Sequence, residues 1–477
     1  MTAMTELACD LAIIGAGAAG LSIAAGAAQL GAAVVLIERG AMGGDCLNVG
    51  CVPSKALLAA AHAAQRVRRA AALGVQVDGL RIDAAAVKAH VRRTIAAIAP
   101  VDSEERYRSL GATVLKAEAR FISPTQLIAR EASGQETRLT PRWTVVAAGL
   151  GPAIPPIPGL RDGPYLTNET VFQGDTLPSH LIILGGGAIG VELAEAHQLL
   201  GCQVTVIEAQ RLLAREEAAL VAPLREHLRA IGVTVNEGVA ATAVGWADGV
   251  PTVTLADGQT VTGSHLLVAT GRVAQLEGLG LEQAGIAWTP RGITVDRRLR
   301  TTNRRVFAAG DVAGGPQFTH VAGSHATTVI LNTLFRVPSR ANHNAVPRVV
   351  YTDPELAGVG LTEAEARATG VPTEVAQWSF QHNDRALADG TGEGSVRLIL
   401  QRGRVVGVHI LGPHAGELIA PWCRAVAERE RLSRFARTML PYPTLSEAPK
   451  RAAGEYLSRS LFSPRVRWLV RLLARLP

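Results

Sequence analysis

The stretch LAIIGAGAAGLSIAAGAAQLGAAVVLIE (residues 11–38) reads as an apolar strand, a glycine-rich turn, a small-residue helix and a second apolar strand that ends in Glu38. The run from Leu11 to Ile37 is uncharged and long enough to span a bilayer. Glycines at 15, 17, 20, 26 and 31 instead punctuate it as strand, turn, helix, turn and strand. A buried βαβ unit is expected to be apolar on every face. The stretch LIILGGGAIGVELAEAHQLLGCQVTVIE (181–208) aligns with the first without a gap, at an offset of 170. Gly185, Gly187 and Gly190 repeat the G-x-G-x-x-G spacing of Gly15, Gly17 and Gly20, and Glu208 repeats Glu38. In such a motif the first glycine makes the turn, the second admits a pyrophosphate, and the third lets helix pack on strand. The helix N-terminus supplies N–H groups for the phosphates. One copy is weak evidence, because glycine-rich turns also arise from packing. Two copies with matching acids point to two dinucleotide-binding units in one chain. An acid suits a ribose diol and repels a 2′-phosphate, so Glu208 favours NADH, with Arg211 near enough in sequence to offset it in part.

At 477 residues, the chain is expected to hold about three domains. Hydrophobic residues make up 48%, charged residues 19% and aromatics only 4%, a balance that suits an Ala/Val/Leu/Gly-rich α/β protein rather than a sandwich or a disordered chain. The N-terminus MTAMTELACD lacks a basic n-region, so no signal peptide is expected and a cytoplasmic location is the default. The net charge is +7, and Arg459, Arg465, Arg467, Arg471 and Arg475 supply five of those charges with no acid after Glu455. Charges elsewhere are mixed in sign, and no nucleic-acid-binding stripe is expected. The tail PRVRWLVRLLARLP (464–477) sets Arg467, Arg471 and Arg475 on one helical face and Val466, Leu469, Val470, Leu473 and Leu476 on another. Such a basic amphipathic helix either lies on an anionic membrane surface, with Trp468 at the boundary, or packs on the body or a second subunit.

Apolar strands also end at WTVVAAGLGPAIPPIPG (143–159), LLVATGRVAQ (266–275) and TTNRRVFAAGDVAG (301–314). Asp311 stands where a strand's C-terminal end meets a ligand crevice, or else simply caps the next helix.

The five cysteines (9, 46, 51, 202 and 423) are too few and too scattered for a disulfide scaffold. Two of them lie five apart in GGDCLNVGCVPSK (43–55). Residues five apart in a regular helix have Cα atoms about 8 Å apart or more, whereas a disulfide needs roughly 4.4–6.8 Å. Cys46 must therefore precede the helix or sit in a distorted first turn, as Asn48 and Gly50 allow, while Pro53 is compatible with a helix start. A helix N-terminus near Cys51 favours thiolate. Competing readings are a two-thiolate metal site, for which no second cysteine pair exists, and two inert buried cysteines.

These motifs together resemble the pyridine nucleotide–disulfide oxidoreductases, the group that includes dihydrolipoamide dehydrogenase, glutathione reductase and mercuric reductase. The resemblance spans nearly the whole chain and extends to PRVVYTDPELAGVGLTEAEA (347–366), similar to the start of that group's dimerisation domain. It implies an α/β fold with two Rossmann-like dinucleotide-binding domains and a C-terminal α+β dimerisation domain. The implied domains are residues 1–150 (FAD, with the redox cysteines), 151–273 (NAD(P)), 274–345 (completing the FAD-binding and central region) and 346–477 (homodimerisation, with the basic tail). Cys51 resembles the charge-transfer thiol and Cys46 the interchange thiol that meets the acceptor. Lys55 resembles the lysine near the flavin's reactive nitrogen, Glu192 its ion-pair partner, and Asp311 the acid on the ribityl chain. Gly44, Gly149 and Gly271 join the glycines of both fingerprints, Glu38 and Glu208 as candidate cofactor contacts. For Lys55 and Glu192 the bland reading is a solvated helix face.

Two departures stand out. Asp45 replaces the usual threonine, and its charge is expected to raise the Cys46 thiol pKa. Tyr442, in PYPTLSEA (441–448), stands where dihydrolipoamide dehydrogenases and glutathione reductases have histidine, while Glu447 remains. Dithiol exchange needs a proton carrier near neutral pH, which tyrosine is not. Mercuric reductases likewise have tyrosine there, and PPIPGLRDGPYLTNET (155–170) and NDRALAD (383–389) look similar to theirs, but the adjacent C-terminal cysteines of those enzymes have no counterpart here. The expected function is therefore FAD-dependent oxidation of NAD(P)H, through Cys46 and Cys51, with mercuric-ion-type reduction favoured. The alternatives are a dithiol or quinone acceptor and, in another class, a non-catalytic nucleotide sensor.

Overall fold

The computed structural model describes residues 5–476, so the first four residues of the stretch read for a leader, and Pro477 of the tail, lie outside it. The chain forms two compact units, one of Met1–Ala60, Ile82–Gly185 and Ala241–His343, the other of Ala61–Arg81, Gly186–Ala240 and Asn344–Pro477.

In the first unit, Thr5–Ile14 is the central parallel strand, flanked by Val34–Glu38 and Glu136–Val146. Thr113–Ser123 extends the sheet beyond the former and Val306–Ala308 beyond the latter, both in parallel register. The uncharged run is explained by burial on both faces: Leu11, Ala12 and Ile13 are inaccessible, as are Leu36, Val145 and Ala308. Each large apolar side chain so buried contributes about 1.5–3 kcal/mol. Helices Ala18–Gln29 and Thr319–Thr333 pack together in this unit, and small residues let them approach. A Cβ on Gly26 would lie 2.6 Å from Ile330 Cδ1. The same unit contains a second parallel pair, His180–Leu184 with His265–Val268, and an antiparallel meander over Ala241–Ala247, Val250–Leu255 and Thr260–Thr262.

The second unit contains helix Ala188–Leu199, the parallel pair Gln203–Glu208 and Thr234–Glu237, and helix Ala218–Ala230. It also holds a five-stranded antiparallel sheet in the order Arg348–Val350, Glu355–Gly360, Arg404–Gly412, Ser395–Gln401, Thr373–Ser379. Helix Glu447–Leu461 packs on two of those strands, around a core that includes the inaccessible Phe380 and Trp422. This is the α+β region expected at the C-terminus. Two buried acids tie the pieces of this unit together: Glu192 accepts from Tyr351 N at 3.0 Å, and Glu195 accepts from Asp353 N at 3.0 Å and lies 3.1 Å from His62 Nε2. Buried carboxylates need such partners, so Glu192 has a structural task whatever else it does.

Candidate active site

The repeat seen in the sequence extends to hydrogen bonds. Glu38 accepts from the Ala16 and Gly40 amides at 2.6 Å each, and Glu208 accepts from the Gly186 and Gln210 amides at 2.7 and 2.8 Å. Each acid thus braces the glycine turn of its own copy. In the first turn Gly15 has φ +104°, and a Cβ on Gly20 would sit 1.9 Å from Gly15 O, so neither position tolerates a side chain. Helices Ala18–Gln29 and Ala188–Leu199 start at Gly17 and Gly187 with no side-chain cap, which leaves their first amides open to a phosphate. The residues present therefore fit the pyrophosphates of two dinucleotides.

The cysteine loop is pressed against the first turn. Gly43 N donates to Ala16 O at 2.9 Å, and a Cβ on Gly44 would lie 2.7 Å from Gly17 Cα. Cys46 falls in a short helix, Gly44–Asn48, closed by Asn48 Nδ2 donating to the Met42 and Gly44 carbonyls. The chain then breaks at Val49 and Gly50, and Cys51 opens helix Cys51–Arg69. The break meets the geometric demand of a pair five apart. Neither cysteine forms a disulfide in this structure. The Cys46 thiol is hydrogen-bonded to Cys51, and that bond, followed by burial, pushes its pKa well above the ordinary thiol value. Cys51 Sγ also lies 3.6 Å from Thr319 Oγ1, at the start of helix Thr319–Thr333. The remaining thiols are poor candidates: burial pushes Cys9 up to about 12 and raises Cys423, and Cys202 is buried.

Arg272 was not legible as a site residue. It follows Gly271 in the second of the small-residue strand ends, and its guanidinium bonds Asp45, Asp311 and the Leu150 carbonyl. Asp45 therefore does not act as expected: its charge is directed to Arg272, and the acids felt by Cys46 are Cys51 and, more weakly, Asp102. Burial raises the carboxyl pKa of both Asp45 and Asp311, with Arg272 opposing it. Replacing Arg272 by Met leaves two partly buried acids facing each other. The expected cost is about 3 kcal/mol, together with weakened flavin retention, read from the melting temperature and from FAD released on gel filtration. Asp45→Asn keeps the Arg272–Asp311 pair and should change stability by less than about 1 kcal/mol.

Lys55 lies one turn into helix Cys51–Arg69, with Nζ 3.4 Å from Ser54 Oγ. Gly149 and Gly271 have φ of +66° and +140° at the ends of their strands. In the second unit, Tyr442 is 68% exposed and its phenol donates to Asp384 Oδ2 at 3.0 Å. The bond to Asp384 raises the phenol pKa, so Tyr442 holds its proton more firmly than a free tyrosine. Glu447 opens helix Glu447–Leu461 and lies 3.9 Å from Arg451. Glu447 adds a weaker electrostatic push to the Tyr442 phenol, whose hydrogen-bond partner is Asp384, and that bond joins two segments that the sequence marked separately.

The sequence pattern of the family described as pyridine nucleotide-disulphide oxidoreductase matches residues 9–326, and that of its dimerisation domain matches 346–453, which supports a homodimer. Mercuric reductase of Streptomyces lividans is 37% identical over 457 residues, covering 94% of this chain and 96% of that protein. Dihydrolipoyl dehydrogenase of Geobacillus stearothermophilus is 33% identical over 452 residues, covering 92% and 94%. Among solved structures, LpdA of Mycobacterium tuberculosis has a TM-score of 0.86 at 30% identity over 96% of this chain and 100% of that one. A Cu(II) complex of the HOCl-induced flavoprotein disulfide reductase RclA of Escherichia coli has a TM-score of 0.85 at 26% identity, covering 94% and 99%. With paired glycine cradles, a cysteine pair at the mouth of the first and sequence matches along almost its whole length, this chain belongs to the pyridine nucleotide-disulphide oxidoreductases, flavoproteins with a redox disulfide centre.

Proposed function

We propose that the chain passes two electrons from NADH through Cys51 and Cys46 to a soft metal ion of the Hg(II) kind. FAD, when bound, supplies the two-electron carrier between nicotinamide and dithiol. Gly15, Gly17, Gly20 and Gly44 would hold its pyrophosphate, with Glu38 bracing the turn, Asp311 on the ribityl chain, and Lys55, Gly149 and Gly271 around the flavin. Cys51 receives the Cys46 hydrogen bond, which favours negative charge on its sulfur, and Cys46 meets the acceptor. The balance is NADH plus Hg(II) giving NAD⁺, a proton and Hg(0). The observation that carries this reading is Tyr442, fixed to Asp384 and holding its proton. Reduction of a metal ion needs no proton relay at that position, whereas disulfide reduction does. The decisive measurement is NADH oxidation by one FAD-loaded preparation against Hg(II) in excess thiol, lipoamide, glutathione disulfide and quinones. Hg(II) should give the highest specificity constant; a higher one for lipoamide or a quinone transfers the assignment. A yellow protein that NADH does not bleach would instead be a sensor.

NADH is the proposed donor because Glu208 stands at the ribose end of the second fingerprint. Arg211 is turned toward its own loop, its guanidinium donating to the Ala214 carbonyl at 2.9 Å, which supports Glu208 as the group that meets the ribose. The kcat/KM for NADH is expected to exceed that for NADPH by about tenfold or more, equivalent to roughly 1.4 kcal/mol. Parity between the two would remove Glu208 from that role.

The C-terminal helix Pro464–Leu473 is proposed to dock on an anionic bilayer, at the cytoplasmic inner face. No helix of the described residues is long and apolar enough to cross a membrane, so the contact is peripheral. Trp468, Leu469, Val470, Leu472, Leu473 and Leu476 are all exposed, and Arg467, Arg471 and Arg475 lie on another face. The charge is complementary to anionic headgroups, at about 1 kcal/mol per arginine near the surface. The protein should sediment with phosphatidylserine-containing vesicles, not with neutral ones, and lose this after Leu469→Ser and Leu473→Ser. Loss of the dimer instead would assign the helix to the second subunit.

A further inference from the structure

A cavity of about 290 Å³ in the first unit is lined by Arg298, Arg300, Arg304 and Arg336, with Trp143, Phe307, Asn332 and Pro338 completing its wall. In sequence Arg298, Arg300 and Arg304 fall in the run DRRLRTTNRR (296–305), where Asp296 is the one acid, and the fold brings Arg336 to them. Asp296 accepts from the Arg298 and Arg300 amides at 2.8 and 3.0 Å, which folds that segment into a tight turn with Leu299 at φ +64°. Asn332, near the end of helix Thr319–Thr333, donates to Ser339 O and accepts from Ser339 N, which draws the 335–339 loop and Arg336 back to the cavity. Arg336 itself has φ +55°. Two non-glycine residues in the left-handed region at one cavity are strain that the surrounding structure enforces, of the kind found at functional sites. Arg300 pairs with Asp296 at 3.0 Å, whereas no acid of the described residues pairs with Arg298, Arg304 or Arg336. Three uncompensated guanidiniums around one space repel one another, and an oxyanion relieves that repulsion with bidentate hydrogen bonds. The edge-to-face pair Trp143–Phe307, centroids 5.8 Å apart, adds an aromatic wall. The cavity is not part of the candidate active site. Asn332 lies thirteen residues along its helix from Thr319, which touches Cys51, a separation of about 20 Å.

We propose that this cavity is a binding site for a diphosphate-bearing small molecule. Its volume, near the lower bound of small-ligand pockets, admits a diphosphate with a small ring and not a dinucleotide, and its uncompensated charge matches a diphosphate. Free pyrophosphate and a nucleoside diphosphate share this chemistry. The two are separated by titrating FAD-loaded protein, saturated with NAD⁺ to occupy the dinucleotide sites, with pyrophosphate and with UDP in parallel calorimetric experiments. At least one probe should bind with a dissociation constant below about 0.1 mM, and tighter UDP binding identifies the aromatic wall as a ring subsite. Arg304 and Arg336 are exposed, so Arg304→Ser with Arg336→Gly should leave the fold and NADH oxidation unchanged. That double substitution should weaken the probe by about 30-fold or more. Absence of binding by both probes, or equal affinity in the double variant, overturns the proposal.

Discussion

Replacing Cys51 with serine should lower NADH-dependent reduction of any acceptor by on the order of 10⁴-fold or more, as expected when a residue that acts as one unit with its partner is removed. NADH should still bleach the flavin, because the proposed nicotinamide site rests on the second glycine turn and Glu208 and not on the thiols. The separate roles follow from the hydrogen bonds. Cys46 donates to Cys51 and its own pKa is pushed up by that bond and by burial, so in the dithiol form the proton resides on Cys46. Thr319 Oγ1, 3.6 Å away, offers Cys51 a second polar neighbour. A long-wavelength thiolate–flavin absorption band in the NADH-reduced enzyme should therefore vanish in Cys51→Ser and persist in Cys46→Ser, although both variants lose acceptor turnover. A band that survives Cys51→Ser and is lost in Cys46→Ser would exchange the two assignments.

How far the sequence reached depends on how local each contact is. Both βαβ units were legible because strand, glycine turn, helix and acid are contiguous and governed by near-neighbour sterics; even the bracing of each turn by Glu38 and Glu208 follows from one pattern repeated at one offset. The break between Cys46 and Cys51 was legible from helix geometry alone. Arg272 was not, because nothing in ATGRVAQ distinguishes an arginine that salt-bridges from one that is solvated. Its partners Asp45 and Asp311 lie 227 and 39 residues away. The same limit misdirected the expectation for Asp45: adjacency in the chain pointed to Cys46, while the fold supplied a cation from far along the sequence. Thr319 belongs to this class too, as does Arg336, which the Asn332–Ser339 bonds at the end of helix Thr319–Thr333 bring to the contiguous arginine run 297–305.

The Tyr442→His variant should raise lipoamide-dependent NADH oxidation by about 10²-fold, the lower part of the range for a positioned acid–base group, while flavin reduction by NADH stays within a factor of two or so of the parent, since it needs no relay. The effect depends on where the new imidazole is held. Asp384 already grips the phenol at 3.0 Å in the parent, and a histidine in its place would have both Asp384 and Glu447 as acids of the same unit to draw on. A neighbouring carboxylate favours the protonated imidazole and moves its titration above the ordinary histidine value near 6.5. The gained activity should accordingly rise as pH falls from 9 through that shifted pKa if the imidazolium is the active form, and the parent should show no such transition, because the Asp384 bond holds the phenol proton more firmly than in a free tyrosine. Combining Tyr442→His with Asp384→Asn separates the two acids: if Glu447 alone orients the ring, the gain is retained with a less elevated pKa. Should the parent already reduce lipoamide at rates on the order of 10²–10³ per second, characteristic of efficient enzymes, a residue other than position 442 carries the proton and the preference for a metal ion loses its physical basis.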